Sequence, residues 1–108
     1  MAAQGHVLVA NEPAGYRDTL ASELPHLRPS LTVFLVDPAD LDATVARMRP
    51  RLVICSELTA SIRQHASASI VLYPEGRNQA ILEVNGQRQV LWNPRLVELL
   101  AVVDVATA

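Results

Sequence analysis

The chain has 108 residues, half of them apolar and 19% charged, and carries a net charge of −2. That length makes one domain able to bury a core without staples, and the slightly acidic balance argues against a general phosphate-backbone binder, which needs a basic surface. All nine basic residues are Arg, so a Schiff-base enzyme and a P-loop, both of which require Lys, are excluded.

The opening MAAQGHVLVANEP has no charged n-region, and its apolar run is too short for a signal peptide. It reads as the lead-in to a first strand, His6–Ala10. No stretch reaches the roughly 18–20 apolar residues that span a membrane. Asn11 is then a candidate N-cap and Pro13 suits a first helical turn. Tyr16, Leu20, Leu24 and Leu27 recur at helical spacing, and Pro25 is expected to end or kink that helix.

Leu31–Val36 is the second strand. Asp37-Pro38 repeats the cap-then-proline signal, and Leu41, Val45 and Met48 form the stripe of a second helix that stops before Pro50. Leu52–Cys55 is the third strand, 58–65 has room for one or two helical turns, and Ser69–Tyr73 is the fourth strand. Near-continuous apolar strands alternating with amphipathic helices predict a parallel sheet covered on both faces, and right-handed crossovers favour the order 2-1-3-4.

The alternation breaks after Tyr73, because PEGRNQ is too short for a helical crossover. AILEV-NG-QRQVLW signals a hairpin, since Asn-Gly suits a type I′ turn. A two-residue turn sets Glu83 opposite Arg88 and Ile81 opposite Val90. Asn93-Pro94 is the third cap-proline signal, before a closing helix marked by Leu96, Leu99, Leu100 and Val103.

The order of the first four strands resembles the receiver domain of bacterial response regulators, over about the first two-thirds of the chain. VLVANEPAGYRDTL resembles a receiver's opening, where paired acids follow strand one and an Arg opens the helix. Aligned on Arg17, the acids fall on Asn11 and Glu12. RPRLVICSELT resembles the segment in which an Arg-Pro pair and an apolar run lead to the phosphoacceptor Asp; aligned on Pro50, that Asp falls on Ser56. The resemblance implies a three-layer flavodoxin/receiver-like α/β fold.

The departures concern chemistry. Phosphoryl transfer in such a domain uses a carboxylate nucleophile, acids that hold Mg²⁺, a small hydroxyl residue after strand four and a Lys after strand five. Here Asn11 replaces one acid, Ser56 the nucleophile and Tyr73 the small hydroxyl residue. The Lys is missing and a hairpin stands in for the fourth helix. The resemblance therefore implies a degenerate, non-catalytic signalling or regulatory domain that works through protein contacts, with no cofactor.

Ligands of open α/β sheets bind beyond the carboxyl ends of the strands. Asn11, Glu12, Asp37, Ser56, Glu57 and Tyr73 fall along that edge, with Glu75 nearby, as a degenerate pocket. Its carboxylates offer oxygen ligands for a hard cation. The plainer reading makes Asn11, Asp37 and Ser56 helix caps, and Glu12 and Glu57 solvated loop acids; on it no residue is catalytic and none holds a metal. Ser56 lacks an evident base and a nucleophile elbow. Cys55 reads as an inert buried thiol, which fits a reducing cytoplasm.

The hairpin is the other candidate. Without a fourth helix, Val71, Ile81, Val90 and Trp92 form an exposed apolar patch, and a homodimer through it is a better expectation than catalysis. The competing reading packs Trp92 under the closing helix. Two further functions stay open: a small-molecule or nucleotide-binding module with a pocket bounded by Glu12, Asp37, Ser56 and Tyr73, and a small hydrolase or phosphotransferase using Ser56 or Glu57.

Overall fold

The computed structural model describes residues 6–108. Residues 1–5, which belong to the stretch read as a lead-in rather than a signal peptide, lie outside the described residues. One six-stranded sheet organises the chain. Strands β1 (His6–Val9), β2 (Thr32–Leu35), β3 (Leu52–Cys55), β4 (Ala68–Leu72), β5 (Gln79–Val84) and β6 (Gln87–Trp92) lie in the order β2-β1-β3-β4-β5-β6. The first four pair in parallel, in the expected order, and β4-β5-β6 pair antiparallel. Helices α1 (Ala14–Leu27), α2 (Leu41–Met48), α3 (Ala60–His65) and α4 (Leu96–Ala106) join or follow the strands. Among the described residues, no helix is long and apolar enough to cross a membrane.

Successive strand residues point to opposite faces, and the core divides accordingly. Val7 and Val9 join Leu52 and Ile54 in a cluster with Leu20 and Leu24 of α1 and Leu99 and Val103 of α4. Leu8 and Ala10 join Val53 and Cys55 in a second cluster with Leu41 and Val45 of α2 and Ile62 of α3. β1 and β3 are buried on both sides, which is why they read as unbroken apolar runs. Each fully buried Leu, Ile or Val contributes roughly 1.5–3 kcal/mol.

Pro25 does not end α1. The helix runs on to Leu27, with the Arg28 N–H bonded to the Leu24 carbonyl at 2.8 Å and Leu24 anchored in the core. Pro25 lies in the last turn, so only one intrahelical bond is forfeited. The stripe also stops short of its predicted end, since Leu27 is exposed.

The hairpin forms as its sequence requires. Asn85 and Gly86 both have positive φ, 54° and 78°, as a type I′ turn demands. Glu83 pairs with Arg88 and Ile81 with Val90. α4 packs over the face carrying Ala80, Leu82 and Leu91. Trp92 pairs with Gln79, one residue out of phase with the Ala80–Leu91 pair, so it emerges on the other face. It is 70% exposed, which overturns its reading as core under the closing helix.

Candidate functional site

The strand ends are held together by short polar contacts. β3 delivers Ser56 beside the loop that follows β1, and its Oγ accepts the backbone N–H of Glu12 at 2.7 Å. Ser56 therefore does not cap α3. Thr59 does: its Oγ1 accepts the Ile62 N–H at 3.2 Å and donates to Asp42 Oδ1 at 2.7 Å. Ser61 Oγ donates to the Asp42 carbonyl at 3.0 Å, so α3 is clasped to α2. Sequence reasoning misses Thr59 and Asp42. The available signal is Thr59 itself, a hydroxyl residue three positions before the buried Ile62, in the cap position of a short helix.

Asp37 is a cap as expected, its Oδ1 accepting the Ala39 N–H at 2.9 Å in the 3₁₀ turn Pro38–Asp40. Asn11 is not. α1 begins after Pro13 with no side-chain cap, and Asn11 is fully buried with neither Oδ1 nor Nδ2 hydrogen-bonded. Capping needs a side chain beside the first free N–H groups, and Asn11 lies too far before the helix. Asn93 does not cap α4 either. Its Oδ1 accepts from Asn78 Nδ2 at 2.6 Å, and Glu98 instead accepts the Arg95 N–H at 2.8 Å.

The expected pocket separates into parts. Glu12, Ser56 and Glu57 meet around an open cleft of about 300 Å³, shared with Asp42 and Thr59. Asp37 and Tyr73 do not line it. Tyr73 sits on the α1 side of the sheet, its ring centroid 5.7 Å from that of Tyr16. Burial, and then the neighbouring Tyr73 side chain, push the Tyr16 phenol up to about 12. Glu12, Asp37 and Glu57 are solvent-exposed, and among the described residues no three His, Cys, Asp or Glu side chains converge to hold a metal ion. Of the carboxylates that the sequence aligns along this edge, Glu12 and Glu57 share the cleft and Asp37 stands apart from it.

Ser56 and Glu57 also border a second open cleft, of about 430 Å³, over β4 and the hairpin, where Arg63, Glu83 and Arg88 add charge. Arg63 pairs with Glu83 at 3.5 Å. Of the four expected interface residues, Val90 and Trp92 are exposed, Ile81 is half-buried and Val71 is buried against the α3 side. Val71 fails because β4 is an interior strand with α3 over this face.

Cys55 is 1% exposed, and burial pushes its thiol up to about 12. His6 lies at the opposite edge from Ser56, its carbonyl bonded to the Arg51 N–H that precedes β3. Scans of protein-family models, curated proteins and solved structures find no match to this chain.

Proposed function

We propose that the chain is a non-catalytic, receiver-like regulatory domain of the bacterial cytoplasm, with flavodoxin-like layering, that acts through protein–protein contacts. The observation that carries this reading is the hairpin face: Trp92 is 70% and Val90 39% exposed, beside the half-buried Ile81. Exposed Trp at the edge of an apolar patch is a frequent interface anchor. The position aligned with the phosphoacceptor supports the non-catalytic half. Ser56 spends its oxygen on the Glu12 N–H, and the acid aligned with Asn11 is a buried amide.

Incubation with Mg²⁺ and a small phosphodonor, followed by intact mass measurement, tests the reading. The expected result is an unchanged mass. A stable phosphoryl group on any strand-end residue overturns it. A second reading, a small-molecule or nucleotide-binding module, is favoured by the 430 Å³ cleft that sets Arg63 and Arg88 near Ser56. A thermal shift with nucleotides that is lost in Arg63→Ala would move the assignment there.

A further inference from the structure

We propose that β6 is a dimerisation edge, pairing antiparallel with β6 of a second copy about a two-fold axis at Val90. This rests on the protein-contact reading above and names its partner. β6 is the last strand of the sheet, and five of its six residues are exposed. Natural edge strands are usually blunted by Lys, Pro, bulges or a covering element. QRQVLW carries a single charge, Arg88, and no proline.

The hydrogen-bond parity of the hairpin is set on its inner side. The Asn93 N–H bonds to the Asn78 carbonyl at 2.9 Å. With the Leu82–Gln89 and Ala80–Leu91 pairs in the same phase, Gln87, Gln89 and Leu91 turn their backbone groups toward β5. Arg88, Val90 and Trp92 therefore turn their N–H and C=O groups outward. A second β6 can bond only by meeting these with its own outward groups.

That parity leaves few registers. Arg88 opposite Arg88 sets like charges together. Arg88 opposite Val90 leaves Trp92 without a partner, and Val90 opposite Trp92 leaves Arg88 without one. Val90 opposite Val90 uses all three positions and places each Arg88 across from the other chain's Trp92. That is a cation–π contact made twice by symmetry. Arg88 is free for it, because among the described residues it is in no ion pair within 4 Å.

One flank of this edge is apolar and the other mixes apolar and polar side chains. On the Trp92 face, Val90 and Ile81 form a cross-strand pair that meets its symmetry copy. On the other face α4 lies over β6 across a groove of about 510 Å³, with Ala101 and Val105 facing Gln87 and Gln89. Val97, Ala101 and Val105 recur every four residues along α4, and Val97 and Val105 are each 65% exposed. Pairing at β6 brings the two stripes toward one another.

Sedimentation equilibrium of the full chain is expected to show a dimer, with the single Trp92 emission shifting to the blue as concentration rises. Val90→Pro removes an outward N–H without breaking a hydrogen bond inside the hairpin, and an edge strand tolerates proline at such a position. It is expected to keep the wild-type circular dichroism and to weaken dimerisation at least ~10-fold, as expected for two lost interchain bonds. Should that variant not fold, Trp92→Ser is expected to weaken the dimer in the same assay. Val90→Cys is expected to give a covalent dimer on mild oxidation, with buried Cys55 taking no part; a stronger cross-link from Gln89→Cys would overturn the register. A wild-type chain that stays monomeric, or a dimer indifferent to Val90→Pro and Trp92→Ser, overturns the proposal. Neither result touches the non-catalytic reading, which stands or falls on the phosphodonor experiment, and a monomer would leave a strand of another protein as the candidate for this edge.

Discussion

The hydroxyl oxygen of Ser56 accepts the backbone N–H of Glu12 at 2.7 Å, tying the end of β3 to the loop after β1 across 44 positions of sequence. Ser56→Ala removes the acceptor, although water can take its place at this partly exposed site. The expected loss is about 1 kcal/mol by urea unfolding. Ser56→Asp, which supplies the carboxylate that the proposed receiver-like reading would place here, is expected to remain unphosphorylated by a small phosphodonor, since Lys is missing and Asn11 is an amide. An acyl phosphate on that variant would show that the missing groups are dispensable.

Asn11 is buried with both side-chain polar atoms unpaired. An amide removed from water without partners is destabilising. Asn11→Leu is therefore expected to raise stability by roughly 1–2 kcal/mol, seen as a higher urea midpoint. Asn11→Asp puts a carboxyl in the same unpaired place and should cost roughly 3 kcal/mol or more near neutral pH. A destabilised Asn11→Leu would show that the amide has a polar partner in solution.

Arg28, just past α1, meets Asp104 of α4 through two bonds, Nε to Oδ1 at 2.6 Å and an Nη to Oδ2 at 2.9 Å. The guanidinium holds the Asp104 carboxyl below its ordinary value of 3.8. A lowered folded pKa means the contribution is complete above the unfolded value and is lost as pH falls through the folded one. Asp104→Asn should thus lower the urea midpoint at pH 7, and the gap from wild type should close progressively below pH 3.8. The pair is half in solvent, so salt should narrow the gap as well. A gap that persists in strong acid would mean that packing at Asp104, rather than its charge, stabilises the helix.

The Cys55 thiol, raised to about 12 by burial, is almost wholly protonated at ordinary pH. Native protein at pH 8 is expected to resist iodoacetamide, while protein in urea takes up one label per chain. Rapid labelling of the folded chain would show that the end of β3 opens locally.

Gly86 holds φ at +78° in the turn between β5 and β6. Gly86→Ala meets no steric neighbour but must take up a backbone region that L-residues disfavour. The expected cost is about 1 kcal/mol by urea unfolding, and a neutral result would mean that the turn can change type.

Much of this architecture is legible in the chain. β1 and β3 are apolar on both faces because both faces are covered, so they stand out as unbroken runs. Asn85-Gly86 is among the few dipeptides that enter a type I′ turn cheaply, and a two-residue turn fixes Glu83 opposite Arg88 across the hairpin. The caps are less legible. Asn11, Ser56 and Asn93 each precede a helix by a few residues, yet a cap works only where the side chain reaches a free N–H, and Thr59 and Glu98 occupy those places. The site is least legible. Glu12, Asp37, Ser56 and Tyr73 share one sheet edge in sequence order, but Asp37 belongs to its own 3₁₀ turn and Tyr73 turns toward Tyr16.

Local periodicity, turn stereochemistry and composition suffice for the strands, the hairpin register and the absence of Lys, and the handedness of crossovers favours the order of the parallel four. Three outcomes needed the packed chain: Asn11 is buried without a partner, Ser56 engages Glu12, and Trp92 lies in solvent beside a free edge. Each depends on which strands lie side by side or which face of a strand a helix covers, and that is a property of the assembled layers rather than of any one segment. For Trp92, one residue of phase along β6 separates the face under α4 from the face left open.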